Sequence, residues 1–250
     1  LKIRASVAIT TKLVQEMKSI QGTFPLATMG LGRLMTGTLL MASQLSEKQS
    51  LSVRMMGNGP LKELFAEASF EGKVRAYCPY RHADIEHKNG HLDLASGIGQ
   101  GVVTVARTMP FQKEPHMGIV PITNGEISED LAFYLHQSHQ IPSVISLSVS
   151  LDSKGEVTAA GGVLIELLPG ASRELVGELE KLALNVPALS KQVLEGRIPL
   201  EILKPYVHNC PLVEVDFESE LSYVINAAIV RWKVDFPEIE QLRSIIIIFR

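Results

Sequence analysis

The feature that most constrains the fold is the strict alternation of aliphatic and serine residues in SVISLSVSL, residues 143–151. Successive side chains of a β-strand point to opposite faces, so this pattern predicts a strand in a sheet with one buried face. The turn-like DSKG follows, and EVTAAGGVLIELLPG after it predicts the next strand. The internal Gly161-Gly162 pair predicts a bulge or a close approach of another segment.

The same period of two recurs earlier in the chain, between helical segments. LSVRM, ELFAEAS and KVRAYC alternate and are separated by turn signals, which predicts antiparallel strands. PLATMGLGRLMTGTLLMASQL, from Pro25, predicts a helix, and the small residues within it predict close packing on both sides. Beyond Pro169 the apolar residues recur at helical spacing.

These patterns predict an α+β fold, with a twisted, mostly antiparallel β-sheet domain and packed helices, followed by a helical linker. We place the sheet domain at residues 1–170 and the linker at residues 171–206. Residues 207–250 form a C-terminal segment of different character.

Composition argues against several classes of function. The chain has 250 residues with a net charge of -3 and a pI near 6.2, so it lacks the basic balance of a nucleic-acid-binding protein. No segment approaches the roughly 18 uncharged apolar residues of a membrane span. Two cysteines cannot form a disulfide framework, which favours a reducing compartment. We expect a cytoplasmic protein, with an organelle matrix as the alternative.

Two glycine-rich segments resemble phosphate-binding loops only superficially. GIGQG, residues 97–101, precedes a predicted strand instead of following one. GLGRLMTG, residues 30–37, lies inside a predicted helix and lacks the lysine-hydroxyl ending of a P-loop. We do not expect nucleotide binding.

The segment 79–101 is polar and predicts a long loop. Six potential metal ligands lie in it: His82, Asp84, Glu86, His87, His91 and Asp93. The spacing of His87 and His91 could bind a metal on a helix, but Gly90 lies between them, which favours a solvated loop. His136 and His139 fit the solvent-facing edge of a predicted helix. Because G-x-S-x-G is also absent, we predict that the chain is not an enzyme, and rank a metal enzyme lowest.

The two cysteines differ in context. Cys78 is in phase with Val74 and Ala76 on a predicted strand, which indicates a small buried hydrophobic residue. Cys210 with His208 has the elements of an activated thiol, but we do not expect the two to form a catalytic dyad. Cys210 is therefore predicted to be a single oxidisable thiol.

Four phrases resemble the heat-shock protein 33 family of redox-regulated holdase chaperones. They follow the family's order over roughly residues 3–206: RASVAITTKLVQEMKSIQGTFPLATMGLGRLMTGTLLMASQL, GNGPLKELFAEASFEGKVRAY, NGEISEDLAFYLHQSHQIPSVISLSVSLD and AAGGVLIELLPGA. The third contains QSHQIP, with His139 where the family usually has glutamate.

The resemblance implies an ATP-independent chaperone that binds unfolding client proteins and prevents their aggregation. It also implies a sheet domain, a helical linker and a small module that binds zinc through a C-x-C and a C-x-x-C pair. In the family, oxidation forms two disulfides, releases zinc and unfolds the linker, and activated members dimerise. The resemblance therefore implies two kinds of partner for this chain, the client proteins and a second copy of the chain in a homodimer.

The zinc module has no counterpart in this sequence. No cysteine follows Cys210, so neither cysteine pair exists, and we expect no zinc, no other cofactor and no zinc-linked switch. The final WKVDFPEIEQLRSIIIIFR resembles nothing in the family. Its aliphatic run, Ile245 to Phe249, would favour aggregation if exposed.

The predicted linker carries the candidate client-binding stripe. Its apolar residues at helical spacing are Leu175, Val176, Leu179, Leu182 and Val186. Gly177, Asn185, Pro187 and Gly196 weaken the helix and favour local unfolding. Periodicity alone fits a domain-capping helix equally well. The alternative function is a dimeric scaffold or interaction module that kept the fold without client binding.

Overall fold

The computed structural model describes residues 3–85, 92–167, 177, 188–206, 214–217 and 244–248. The strands are β1 Ile3–Ile9, β2 Ser50–Gly57, β3 Glu63–Ser69, β4 Val74–Tyr77, β5 Gly101–Thr108, β6 His116–Pro121, β7 Ser143–Leu151, β8 Val157–Leu167, β9 Glu214–Phe217 and β10 Ser244–Ile248. The helices are α1 Thr11–Gln21, α2 Pro25–Ala42, α3 Leu94–Ile98, α4 Ser128–His139, α5 Leu189–Leu194 and α6 Pro199–Leu203, with a 3₁₀ turn at Lys204–Tyr206. The predicted α+β class is confirmed.

The strands form two five-stranded antiparallel sheets. Sheet A has the order β7-β8-β1-β10-β9, and sheet B has the order β4-β3-β2-β5-β6. Sheet B is built from one continuous part of the chain, whereas sheet A joins the first strand to strands from the second half. Helices α1, α2 and α4 lie between the sheets, and their apolar side chains share one core with both inner faces.

Helix α2 is the central element of this core. It begins with Pro25 in its first turn and contacts strands of both sheets. A Cβ added at Gly37 would lie 2.5 Å from Leu131 Cδ1, and one at Gly32 would lie 2.6 Å from a Val14 methyl carbon. The small residues therefore permit close packing on both sides, as the sequence predicts.

The outer face of sheet A is covered by α5 and α6. Paired residues of β1 and β8 point toward these helices and are at most 1% exposed; we call them the covered face: Ala5, Val7, Val163 and Ile165. On the helices, Leu189, Ile202 and Leu203 are buried. Residues 188–206 thus contribute a second apolar layer. The predicted boundary between residues 170 and 171 lies outside the described residues.

The Gly161-Gly162 pair lies in β8, where core side chains approach the backbone closely. A Cβ at Gly162 would lie 2.7 Å from Leu147 Cδ2 and 2.8 Å from Leu40 Cδ1. The predicted close approach is therefore present. The irregularity in register lies elsewhere, between Ser150 and Leu151 of β7.

A buried carboxylate fixes the start of α4. Asp130 accepts hydrogen bonds from the Thr123 backbone N–H at 2.7 Å and from the Thr123 hydroxyl at 2.6 Å. It also accepts one from the Ile127 N–H at 3.3 Å, and Ile127 is held at a φ of 59°. A β-branched residue rarely adopts this conformation, so these contacts determine where α4 begins and how it sits beside β6.

The C-terminal strands extend sheet A. Strand β10 pairs with β1, with Ile245 opposite Val7, and β9 pairs with β10 on its other side. The backbone of the aliphatic run is thus paired on both sides. Among the described helices, none is long and apolar enough to cross a membrane.

Candidate functional site

The outer face of sheet B carries a cluster of exposed apolar side chains. We call it the open apolar face, formed by Met56 (46% exposed), Val102 (39%), Met117 (62%) and Ile119 (62%). Phe111, in the turn between β5 and β6, is fully exposed. Contiguous apolar surface of this kind marks interaction sites in folded proteins.

Strand register brings these side chains together. Met56 of β2 lies opposite Val102 of β5, which lies opposite Pro121 of β6. In parallel rows of the same face, Thr104 is opposite Ile119 and Ala106 is opposite Met117. The intervening residues of these strands, including Val103, Val105 and Val120, point into the core. Each of the three strands is therefore apolar on both faces at this end of the sheet.

The other half of the same face is charged. Arg54 pairs with Glu63 at 2.8 Å, and Arg75 donates from Nε to Glu67 at 2.6 Å. These residues lie on β2, β3 and β4, away from β6. The outer face of sheet B is thus divided into an apolar half that can bind apolar segments and a solvated half that cannot.

Sequence reasoning missed the open apolar face, although its signal is present. In GVVTVART and HMGIVP, apolar residues occupy positions that face both sides of the strand. Such strands need cover on two faces, or they leave one apolar face in solvent.

The glycine-rich segments serve packing. A Cβ at Gly57 would overlap the Ile98 carbonyl oxygen, and one at Gly101 would overlap the Met56 carbonyl oxygen. Across this contact the Gly59 N–H donates to Ile98 O at 2.9 Å. The glycines therefore let the β2–β3 turn lie directly against the start of β5.

The predicted long loop at 79–101 contains a short helix, which corrects that expectation. Asp93 accepts from the Ser96 N–H at 3.0 Å and so begins α3. His82 contacts the Phe24 ring at a centroid distance of 4.9 Å, and Asp84 is exposed. No group of three metal-ligating side chains occurs among the described residues. Three of the candidate ligands lie outside them: Glu86, His87 and His91.

The cysteine and histidine predictions can be examined in part. Cys78 is buried, and burial raises the pKa of its thiol to about 11, which confirms the small buried hydrophobic residue. His136 and His139 are both exposed at the edge of α4, as expected. Cys210 lies outside the described residues, as does the whole predicted stripe: Leu175, Val176, Leu179, Leu182 and Val186.

Comparison with known proteins gives one consistent family. The model of the family described as Hsp33 protein matches residues 1–225. The 33 kDa chaperonin of Desulfotalea psychrophila is 37% identical over 215 residues, which are 86% of this chain and 72% of that protein. The 33 kDa chaperonin of Shouchella clausii is 39% identical over 204 residues, covering 81% and 69%.

A solved structure agrees with these relatives. The crystal structure of the 33 kDa chaperonin, a heat shock protein 33 homolog, from Thermotoga maritima matches with a TM-score of 0.77 and 34% identity. The match covers 82% of this chain and 70% of that one. With the sequence phrases, the two-sheet fold and these matches in agreement, the chain belongs to the Hsp33 family.

Proposed function

We propose that this protein is a chaperone that holds unfolding proteins without ATP and prevents their aggregation. The open apolar face is the surface on which it holds them. Membership of a family whose curated relatives are named 33 kDa chaperonin supports the chaperone function. The chain is not an enzyme, since this family consists of non-enzymatic chaperones.

The observation that carries the holdase mechanism is the exposure of Met56, Val102, Met117 and Ile119 on one sheet face. Unfolding proteins expose apolar segments, and burying apolar area contributes about 25 cal/mol per Å². A broad, sheet-like surface sets few demands on the shape of the bound segment. Binding and release at such a surface need no nucleotide.

The linker stripe adds a second contact surface in this proposal. Leu175, Val176, Leu179, Leu182 and Val186 share one face of a weakened helix in the sequence. A segment of this kind could cover an apolar surface and also leave it, which would make clients compete with the linker. Replacing the apolar residues of this stripe with polar ones should then change the affinity for clients without unfolding sheet B.

We also propose that this chain works without the family's zinc-linked switch. A four-cysteine zinc site needs four thiolates, and these 250 residues contain two cysteines. Burial raises the pKa of Cys78 to about 11, so it is a poor source of a thiolate ligand. The residues present therefore do not fit the site. Stoichiometric, oxidant-releasable zinc in the purified protein would contradict this.

Light scattering tests the holdase proposal. A chemically denatured client is diluted with and without the protein, under reducing and then oxidising conditions. We expect suppression of aggregation under both, because the open apolar face is exposed without any switch. No suppression under either condition would contradict the chaperone function and favour a scaffold.

A matched pair of variants tests the surface. Ile119→Ser removes an exposed aliphatic side chain from the open apolar face, and Ile20→Ser removes one that is 40% exposed on α1. We expect weaker suppression with Ile119→Ser and unchanged suppression with Ile20→Ser. Equal effects of the two variants would show that clients are held elsewhere.

A further inference from the structure

A cavity opens between the two sheets where α2 ends. Its volume is about 660 Å³, within the range of about 300–1,000 Å³ typical of small-molecule sites. It lies on the inner side of β6, where a Cβ at Gly118 would be 2.8 Å from Tyr134 Cε2. Its apolar wall includes Met41, Leu45, Leu51, Met117, Leu135 and Ile141.

The polar part of the wall contains two guanidinium groups and two imidazole rings. Arg4, Arg107, His116 and His139 all line the cavity. The buried Glu166 accepts a hydrogen bond from Arg4 Nε at 2.9 Å and another from the Gln44 amide. Glu166 therefore neutralises Arg4, which leaves Arg107 as the second guanidinium of the wall.

Arg107 is the group whose charge is left without a partner of opposite sign. Its Nε and Nη2 donate to Gln49 Oε1 at 3.2 and 2.6 Å, and an amide carries no charge. Within the described ranges, no carboxylate pairs with Arg107. His139 is exposed on one side, but its partial burial against the cavity wall lowers its pKa, the positive charge of Arg107 lowers it further, and Glu166 opposes both.

We propose that this cavity binds a small amphipathic anion, with a carboxylate or phosphate headgroup held by Arg107 and an apolar body held by the wall that α2 and α4 provide. A guanidinium binds either headgroup through paired, charge-assisted hydrogen bonds. The Tyr134 hydroxyl, 3.5 Å from His139 Nε2, lies in the same wall as a further donor. Met117 borders both the cavity and the open apolar face, whereas Met56, Val102 and Ile119 do not line the cavity, so a change at Ile119 separates the two surfaces.

Isothermal titration calorimetry with four probes tests the proposal on the intact chain. Decanoate and decyl phosphate carry an apolar body with each headgroup, decanol lacks the charge, and inorganic phosphate lacks the apolar body. We expect at least one of the amphipathic anions to bind, and decanol and inorganic phosphate to bind at least about tenfold more weakly. Decanol binding as tightly as the anions, or no binding of either anion, would overturn the proposal.

Matched variants locate the site. Arg107→Met should weaken binding of the anion by about tenfold or more, because the charge-assisted hydrogen bonds are lost. Arg75→Met removes the same charge from β4 and should leave binding unchanged. Ile119→Ser should also leave anion binding unchanged. Loss of anion binding in the Ile119→Ser variant would place the ligand on the open apolar face. Arg107→Gln provides a second variant should Arg107→Met fail to fold.

The His139 ring offers a readout of position. An anion bound beside it favours the imidazolium form, so its pKa measured by NMR should rise when decanoate is added. Arg107 and Glu166 act on its pKa, and Arg4, His116 and Tyr134 are the other titratable or charged groups that line the cavity with it. An unchanged His139 pKa at saturating ligand would place the anion outside the cavity and overturn the proposal.

Discussion

The outer faces of the two sheets both carry apolar side chains, but those of sheet A are covered and those in the apolar half of sheet B are open. On sheet A, the covered face is at most 1% exposed beneath α5 and α6. On sheet B, the open apolar face is 39–62% exposed. Fully burying one large aliphatic side chain contributes about 1.5–3 kcal/mol, so the covered face stabilises the fold. The open apolar face keeps that free energy available for binding.

The strongest test of this comparison places a charge on each face. Val163→Asp puts a carboxylate under α5 without a partner, and we expect it to lower the free energy of unfolding by at least about 3 kcal/mol. Ile119→Asp puts the same group in solvent, where a change within about 0.5 kcal/mol is expected. Urea denaturation measures both. Similar midpoints for the two variants would refute the comparison.

A second test concerns the helices that cover sheet A. Ile202 is fully buried on α6, so Ile202→Ala should cost about 2–4 kcal/mol of stability. Ile198 is 57% exposed just before that helix, and Ile198→Ala should change stability by less than about 0.5 kcal/mol. A small effect of Ile202→Ala in thermal and urea unfolding would mean that residues 188–206 contribute little to the fold.

A third test contrasts the inner face of sheet B with its open outer face. With a pKa of about 11, only about one thiol in a thousand of Cys78 is ionised at pH 8, and burial also restricts reagent access. In a Cys210→Ser background, thiol labelling should be at least about a hundredfold slower in the folded protein than in urea. Rapid labelling of the folded chain would show that the inner face opens readily.

The smallest effect is expected in the charged half of the outer face of sheet B. Arg75 and Glu67 form an exposed ion pair, and such pairs contribute about 0–1 kcal/mol. A double-mutant cycle with Arg75→Met and Glu67→Gln should give a coupling energy in that range, smaller at high salt. A coupling above about 2 kcal/mol would mean that this half is less solvated than its exposure indicates.

Local patterns predicted much of the fold. The alternation at 143–151 predicted β7, the small residues of α2 predicted its two-sided packing, and Gly161-Gly162 predicted a close contact. These features depend on side-chain period and size, which are properties of neighbouring residues. The short α3 was missed, because a five-residue helix begun by Asp93 has almost no periodicity.

The sites were less accessible to sequence reasoning. The open apolar face joins Met56 to residues more than forty positions away through strand pairing. The cavity joins Arg4, Arg107 and His139, from three separate elements. The residues of each set are far apart in the sequence, so no short motif contains them. They meet only because particular strands become neighbours.

By itself, the sequence determined the class of fold, the family and which residues of each strand share a face, because these follow from local period and from phrases shared with relatives. The tertiary structure decided which apolar face is covered. Both sheets carry apolar side chains on their outer faces, and helices α5 and α6 cover those of sheet A. That choice arises from packing between segments more than a hundred residues apart, with α6 lying against β1.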